Sequence, residues 1–172
     1  MQIAETKRLI LRVPETTDGK LVLELFNQRD CVRFIGDKNI KSLEDAENYI
    51  TEKFLGLYRT YGFCLYIVEH KELNESVGIC GLVKRESLED ADIGFAILTK
   101  FQGNGYVTEA AKAVKNYAFK TLGINRLVGI TDKQNVASSR VLEKIGLVFE
   151  KNIQLEGETK EVKLYAATLC SE

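Results

Sequence analysis

Between Phe63 and Leu98 the chain carries three apolar segments in succession, Phe63–Glu69, Val77–Lys84 and Ala91–Leu98, separated only by polar turns. Each is short and rich in Val, Ile, Leu and Phe, so each reads as a strand. Strands joined by tight turns must run antiparallel, because a parallel return needs a crossover of a dozen or more residues. One such crossover follows. Thr108–Leu122 has a helical period, with Ala110, Ala113, Val114, Tyr117 and Ala118 on one side, and Arg126–Thr131 reads as the next strand. One β-α-β unit after a meander predicts one parallel pair in an otherwise antiparallel sheet.

The flanking segments extend this pattern. Leu9–Val13 reads as a first strand closed by Pro14, and Asp18 is placed to cap a helix through Leu21, Val22, Leu25 and Phe26. Ser42 stands three residues before Asp45, a variant capping box, ahead of Ala46, Tyr49, Ile50, Phe54 and Leu57 at helical spacing. Gly123 ends the helix of the crossover. Asn135 is placed to cap a further helix through Val141, Leu142 and Ile145, closed by Gly146. Leu147–Ile153 and Lys160–Thr168 form a closing hairpin around Gly157. The predicted fold is α/β of the α+β kind. It has a mostly antiparallel mixed sheet of about seven strands and about four helices, in the order β-α-α-β-β-β-α-β-α-β-β.

At 172 residues the chain fits one domain, 1–172, with room for a core that needs no metal or disulfide staple. A formal net charge of -1 supplies no general attraction for a nucleic-acid backbone, so no nucleic-acid partner is expected. Cys31, Cys64, Cys80 and Cys170 form no C-x-x-C pair and His70 is the sole histidine, so no metal site is expected. Cys64 and Cys80 lie inside apolar runs and read as small buried hydrophobes. His70, beside a polar turn, reads as a surface residue. Met1–Glu5 lacks a basic start followed by an apolar run, and no stretch approaches ~18 apolar residues, so a cytosolic protein without a membrane span is expected.

Phe101-Gln102-Gly103-Asn104-Gly105-Tyr106-Val107-Thr108-Glu109 joins a strand to a helix. Its two glycines let the backbone turn tightly and approach a ligand, and the helix start offers unpaired N–H groups and a partial positive charge. Thr108 adds a hydroxyl. Together these make an anion site, although a plain strand–turn–helix joint uses the same residues. A P-loop requires Lys and then Ser or Thr after its last glycine, and Tyr106 stands there instead. A dinucleotide fingerprint requires a small residue where Thr108 stands and an acid after the next strand. Asp132 supplies the acid, yet a doubly wound fold needs more βα units than the chain retains. The remaining alternative is the pyrophosphate of coenzyme A.

Gln102-x-x-Gly105-x-Val107 resembles the Q/R-x-x-G-x-G/A signature of the GNAT superfamily of N-acetyltransferases, with Val107 where Gly or Ala is usual. Asn135-Val136-Ala137-Ser138-Ser139-Arg140-Val141-Leu142-Glu143-Lys144-Ile145-Gly146-Leu147 is similar to the second coenzyme A element of that family, with Leu147 for the usual Phe. Thr6-Lys7-Arg8-Leu9-Ile10-Leu11-Arg12 and Ile93-Gly94-Phe95 also match. These details resemble the branch of the RimJ/RimL-type ribosomal-protein-alanine acetyltransferases. The resemblance implies a GNAT fold and a single acyl-CoA N-acyltransferase domain with acetyl-CoA as co-substrate.

It also implies roles. The backbone of Ile97 and Leu98 pairs with the pantetheine arm as an added strand. Backbone N–H groups of Gln102, Gly103, Asn104, Gly105, Tyr106, Val107 and Thr108 hold the pyrophosphate. Asn135 bonds the arm near its thiol end, beside its capping role, and Arg140 and Lys144 read as solvated helix charges. In the reaction an amine attacks a thioester carbonyl, negative charge develops on the oxygen and a thiolate leaves. A backbone N–H near Leu98 is the expected oxyanion donor. The tyrosine that protonates the thiolate in many relatives is replaced by Leu142, and Ser138 matches the serine given that role in RimL-type relatives. Asp92 and Glu69 are carboxylates that stand as base candidates, and the acidic set Glu86, Glu89, Asp90 and Asp92 reads as a solvated turn.

The expected activity is acetyl transfer from acetyl-CoA to an amine, either a protein N-terminal α-amine or a small molecule, by a monomer or homodimer. The alternatives are a catalytically silent coenzyme A-binding sensor or interaction module, and a nucleotide-binding domain.

Overall fold

A computed structural model of the chain describes residues 1–170. Its eight strands are β1 (Gln2–Glu5), β2 (Leu9–Arg12), β3 (Leu65–His70), β4 (Glu75–Val83), β5 (Ala91–Ile97), β6 (Arg126–Asp132), β7 (Val148–Gln154) and β8 (Glu161–Thr168). They form one sheet in the order β1-β2-β3-β4-β5-β6-β8-β7. The predicted meander is β3-β4-β5, and the single parallel pair among the described residues is β5 with β6.

The sheet has one strand more than expected. β1 pairs antiparallel with β2 through Ala4↔Leu11 and Glu5↔Ile10. Its four residues show no clean apolar alternation, because none of them is fully buried.

The helices are α1 (Gly19–Phe26), α2 (Arg29–Phe34), α3 (Leu43–Tyr49), α4 (Leu55–Tyr61), α5 (Tyr106–Lys120) and α6 (Val136–Lys144). Ser42 and Asp45 form the expected capping box on α3. A π turn over Ile50–Phe54 carries α3 straight into α4, so one expected helix is two α segments with an inserted residue. The short α2 was not expected, since only Cys31 among its six residues is buried. Asp18 does precede α1, but its carboxylate caps nothing there. It accepts instead from Arg12 Nη1 and Nη2 at 2.9 and 2.7 Å, and from the Glu15 N–H at 2.7 Å.

Val77–Leu82 of β4 are buried without a break. A strand buried in unbroken succession is covered on both faces. α1 and α5 both pack on β4 and provide that cover. Phe26, Tyr49 and Phe54 interlock with ring centroids 5.5–6.4 Å apart between α1, α3 and the π turn. Val22, Leu25, Ile67, Leu82, Val114 and Leu127 lie in the same core. Cys64 and Cys80 are buried there, and burial pushes the Cys64 thiol up to about 12. Among the described residues no helix is long and apolar enough to cross a membrane.

Candidate active site

The site is built where the one parallel pair comes apart. Among the described residues β5 and β6 pair only at Ala91↔Leu127 and Asp92↔Val128, although β5 runs on to Ile97 and β6 to Asp132. On its other side β5 stays paired with β4 in unbroken register, from Asp92↔Val83 to Ile97↔Gly78. Main-chain groups in an antiparallel strand point alternately to the two sides. The Leu98 N–H donates to Val77 O at 2.9 Å, so Leu98 and Ala96 face β4. Phe95 and Ile97 therefore turn their N–H and C=O groups into the opening toward β6.

This corrects one expectation. The Leu98 N–H is spent on Val77 and does not face the opening, so it is not the free donor expected for an oxyanion. The Ile97 main chain is the group that faces it. Its carbonyl accepts from Gln28 Nε2 at 3.1 Å, and Gln28 Oε1 accepts from the Thr99 N–H at 2.7 Å. From the far end of α2, Arg33 Nη2 donates to Gln134 Oε1 at 3.1 Å, beyond the end of β6. The unexpected α2 is thus tied to the ends of both parting strands. Gln28 and Arg33 escaped the sequence reading because each meets its partner across 69 or 101 residues.

The chain leaves β5 through a tight turn at Thr99–Phe101 and enters the glycine loop. Gly103 and Gly105 have φ of +81° and +77°, which a residue with a Cβ rarely adopts. Asn104 Nδ2 donates to the carbonyls of Phe101 and Gln102 at 3.0 and 3.3 Å, which holds the turn from within. Gly105 is the N-cap of α5 and provides no side-chain bond, so the first N–H groups of this 15-residue helix are left for other acceptors. Tyr106, Val107 and Thr108 are helical rather than part of the loop, two residues earlier than expected. Val107, where Gly or Ala is usual, needs no positive φ there. Its side chain lines a small crevice with Val77, Ile79, Ala96 and Ala110.

Beyond β6, Asn135 caps α6 as expected, its Oδ1 accepting from the Ser138 N–H at 3.2 Å. Ser138 lies half-buried in the first turn, and Arg140 and Lys144 are exposed. Asp132, the acid a dinucleotide fold would use, is committed to its own turn. It accepts from the Gln134 N–H at 2.8 Å and pairs with Lys160.

The carboxylates sort by environment. Glu69 pairs with Arg12 at 2.6 Å. Glu86 and Glu89 are exposed, whereas Asp90 pairs with Arg126 at 3.1 Å. Asp92 is 2% exposed at the last residue before β5 and β6 part. Its Oδ2 pairs with Arg85 Nε at 2.8 Å, and Oδ1 has no hydrogen-bond partner among the described residues. Burial pushes its carboxyl up to about 6, against the pull of Arg85. The acidic set is therefore not one solvated turn.

His70 also departs from expectation. It is 6% exposed, with its ring edge against Tyr106 at 5.0 Å between centroids and its Nδ1 accepting from the Leu73 N–H at 3.3 Å. A lone histidine beside a polar turn carries no signal of a tyrosine that packs over it from a distant helix. Among the described residues no group of metal-ligating side chains is assembled.

Comparison with known proteins decides the family. The model of the acetyltransferase (GNAT) domain matches residues 8–148. The chain belongs to the GNAT acetyltransferase family. As a GNAT N-acetyltransferase it uses acetyl-CoA as its acyl donor. It is 30% identical over 145 residues to the N-acetyltransferase YoaA of Bacillus subtilis, covering 84% of this chain and 81% of that one. It is 33% identical over 153 residues to YkkB of the same organism, covering 87% of each. Among solved structures, a GNAT acetyltransferase from Bacillus anthracis superposes with a TM-score of 0.81 at 27% identity, covering 98% of both chains. RimL, the ribosomal L7/L12 alpha-N-protein acetyltransferase in complex with coenzyme A, shares the fold at a TM-score of 0.81 and 21% identity, again over 98% of both chains. In this GNAT chain the parted strands, the glycine loop and the Asn135 cap all meet at one end of the sheet.

Proposed function

We propose that the protein transfers the acetyl group of acetyl-CoA to an α-amino group, of a peptide N-terminus or of a small amine of similar basicity, by direct attack on the thioester. The observation that carries this reading is the parting of β5 from β6 after Asp92, which aims the main chain of Ile97 into an opening that leads to the Gly103–Gly105 loop. A fold shared with RimL, whose structure contains coenzyme A, supports the placement.

Each residue has one task in this reading. The Ile97 main chain holds the extended arm of the donor and presents an N–H to the thioester oxygen as charge develops there. Gly103–Thr108 turn N–H groups and the positive end of α5 toward the pyrophosphate, whereas the Gln102 N–H, expected to join them, is spent on Thr99 O at 3.2 Å. Asn135 positions the arm through its amide nitrogen, and the Ser138 hydroxyl gives a proton to the departing thiolate while taking up, directly or through water, the proton that the attacking nitrogen loses on becoming an amide. An α-amine with a pKa near 8 is about one-tenth neutral at pH 7, while a lysine near 10.4 is neutral in only about one molecule in 2,500. The α-amine therefore requires little help from a base.

The test is thermal stabilisation by acetyl-CoA, NAD and ATP, followed by thiol release with panels of peptides, small α-amines and lysine side-chain amines. Acetyl-CoA alone is expected to raise Tm by several degrees far above its dissociation constant. Turnover is expected with α-amines. No shift with acetyl-CoA sinks the reading, and a shift without turnover on any amine favours a silent coenzyme A-binding module.

A further inference from the structure

We propose that Arg8 is a positioning residue for the diphosphate of acetyl-CoA, acting by cancelling the Glu109 carboxylate and by turning the Asn104 carbonyl away from the loop. This rests on the reading of Gln102–Thr108 as the pyrophosphate loop.

Glu109 is the fourth residue of α5, in the turn whose N–H groups and positive end would meet the phosphates. A carboxylate in that turn helps the helix, yet it repels a second anion in the same field. The tight turn between β1 and β2 brings the remedy from about a hundred residues away in sequence. Arg8 Nε donates to Glu109 Oε2 at 2.7 Å, and Nη2 lies 2.7 Å from the same oxygen. The Arg8 N–H donates to Oε1 at 2.9 Å and Thr6 Oγ1 to that oxygen at 2.6 Å. Burial alone would raise the Glu109 carboxyl, but the bonds from Thr6 and Arg8 outweigh it and hold it below its usual range. The charge is thus permanent near neutral pH and permanently matched.

The same guanidinium reaches the loop itself. Nη1 donates to Asn104 O at 3.0 Å, so a carbonyl lying between the two glycines points at a cation and not at a bound anion. The guanidinium also lies over the Tyr106 ring, 4.7 Å from its centroid, and that ring rests on His70. Arg8 is fixed from three sides while remaining 38% exposed at the rim of the loop.

The experiment compares acetyl-CoA with acetyl-pantetheine, which has the arm and thioester but no phosphate, by calorimetry on the full chain. For Arg8→Gln the dissociation constant of acetyl-CoA is expected to rise about tenfold, while that of acetyl-pantetheine stays within about twofold. Arg8→Lys, which keeps the charge, recovers part of the loss. Adding Glu109→Gln to Arg8→Gln removes the uncompensated carboxylate and recovers part of it too. Equal weakening with both donors, no weakening, or a double variant no tighter than Arg8→Gln overturns the proposal and leaves the coenzyme A reading standing. Failure of the wild-type chain to bind acetyl-CoA removes that reading and this proposal together.

Discussion

Gln28 Nε2 donates to the carbonyl of Ile97 at 3.1 Å while Gln28 Oε1 accepts from the N–H and hydroxyl of Thr99 at 2.7 and 3.0 Å. One side chain therefore ties α2 to the end of β5 and occupies a main-chain group that the donor arm takes in the proposed reading. Gln28→Ala frees that carbonyl. Acetyl-CoA is expected to bind about twofold to fivefold more tightly, with stability lower by about 1 kcal/mol or less because the bonds lie near solvent. Calorimetry decides it, and an unchanged or weaker affinity shows that Gln28 does not compete with the arm.

Asp92 gives the protein a pH dependence of definite sign. Its folded-state carboxyl sits at about 6, above the ordinary 3.8. The folded state thus binds this proton more tightly than the unfolded chain. The associated stability is complete below about pH 4 and is lost as pH rises through about 6. A displacement of about two pH units is worth on the order of 3 kcal/mol. Asp92→Asn is expected to raise Tm by several degrees at pH 8 and by little at pH 4, and melting curves across that range check it. An equal effect at both ends means that the carboxylate charge is not the cause.

Ser138 stands in the first turn of α6, with its N–H held by Asn135. If its hydroxyl protonates the leaving thiolate, Ser138→Ala should lower single-turnover acetyl transfer by about a hundredfold. The acetyl-CoA dissociation constant should stay within about twofold. A rate unchanged from wild type removes Ser138 from the chemistry.

Gly81 is required by β3. A Cβ built on it would lie 2.1 Å from Cys64 O and 2.7 Å from the Leu65 Cα, both main-chain atoms that cannot step aside. Gly81→Ala is expected to cost about 3 kcal/mol or more and to leave little folded protein at 37 °C. Gly56→Ala is the control, since nothing lies within 4 Å of that added Cβ and the position is helical. It should stabilise by about 0.5–1 kcal/mol, and denaturant titration of both variants reads the contrast.

Local patterns carried most of the fold. The bounds of β3 to β8 were legible within about two residues, because short apolar runs and turn residues at Asn74, Gly123 and Gly157 mark them. Asn74 has φ of +51° and Gly157 of +78°, which is the conformation those turns demand. β1 and α2 stayed hidden because a strand with no fully buried residue and a helix with one have almost no period to detect. The π turn at Ile50–Phe54 was invisible for a related reason, since apolar spacing alone does not reveal an inserted residue.

In the site, the glycine loop and the Asn135 cap were readable because each is local. The carboxylate that meets Arg8, the carbonyl that meets Gln28, the amide that meets Arg33 and the Tyr106 ring against His70 were not, because all of them come from distant parts of the chain. The donor expected at Leu98 fell one residue from the group that faces the opening. Period-2 alternation reverses the direction of every N–H at the next residue, so a one-residue error there changes the side entirely.

Sheets usually leave their spare amides at the rims, and β1 and β7 are the rims here. This sheet also keeps a reserve at its centre, where Phe95 and Ile97 face the gap left by β6. An opening therefore runs into the middle of the sheet, and the six-residue α2 ties its two sides through Gln28 and Arg33. In the proposed reading a donor arm laid along that opening acts as a missing strand as well as a reactant. Resistance to unfolding then follows the supply of acyl donor, and the enzyme is sturdiest when it has something to transfer.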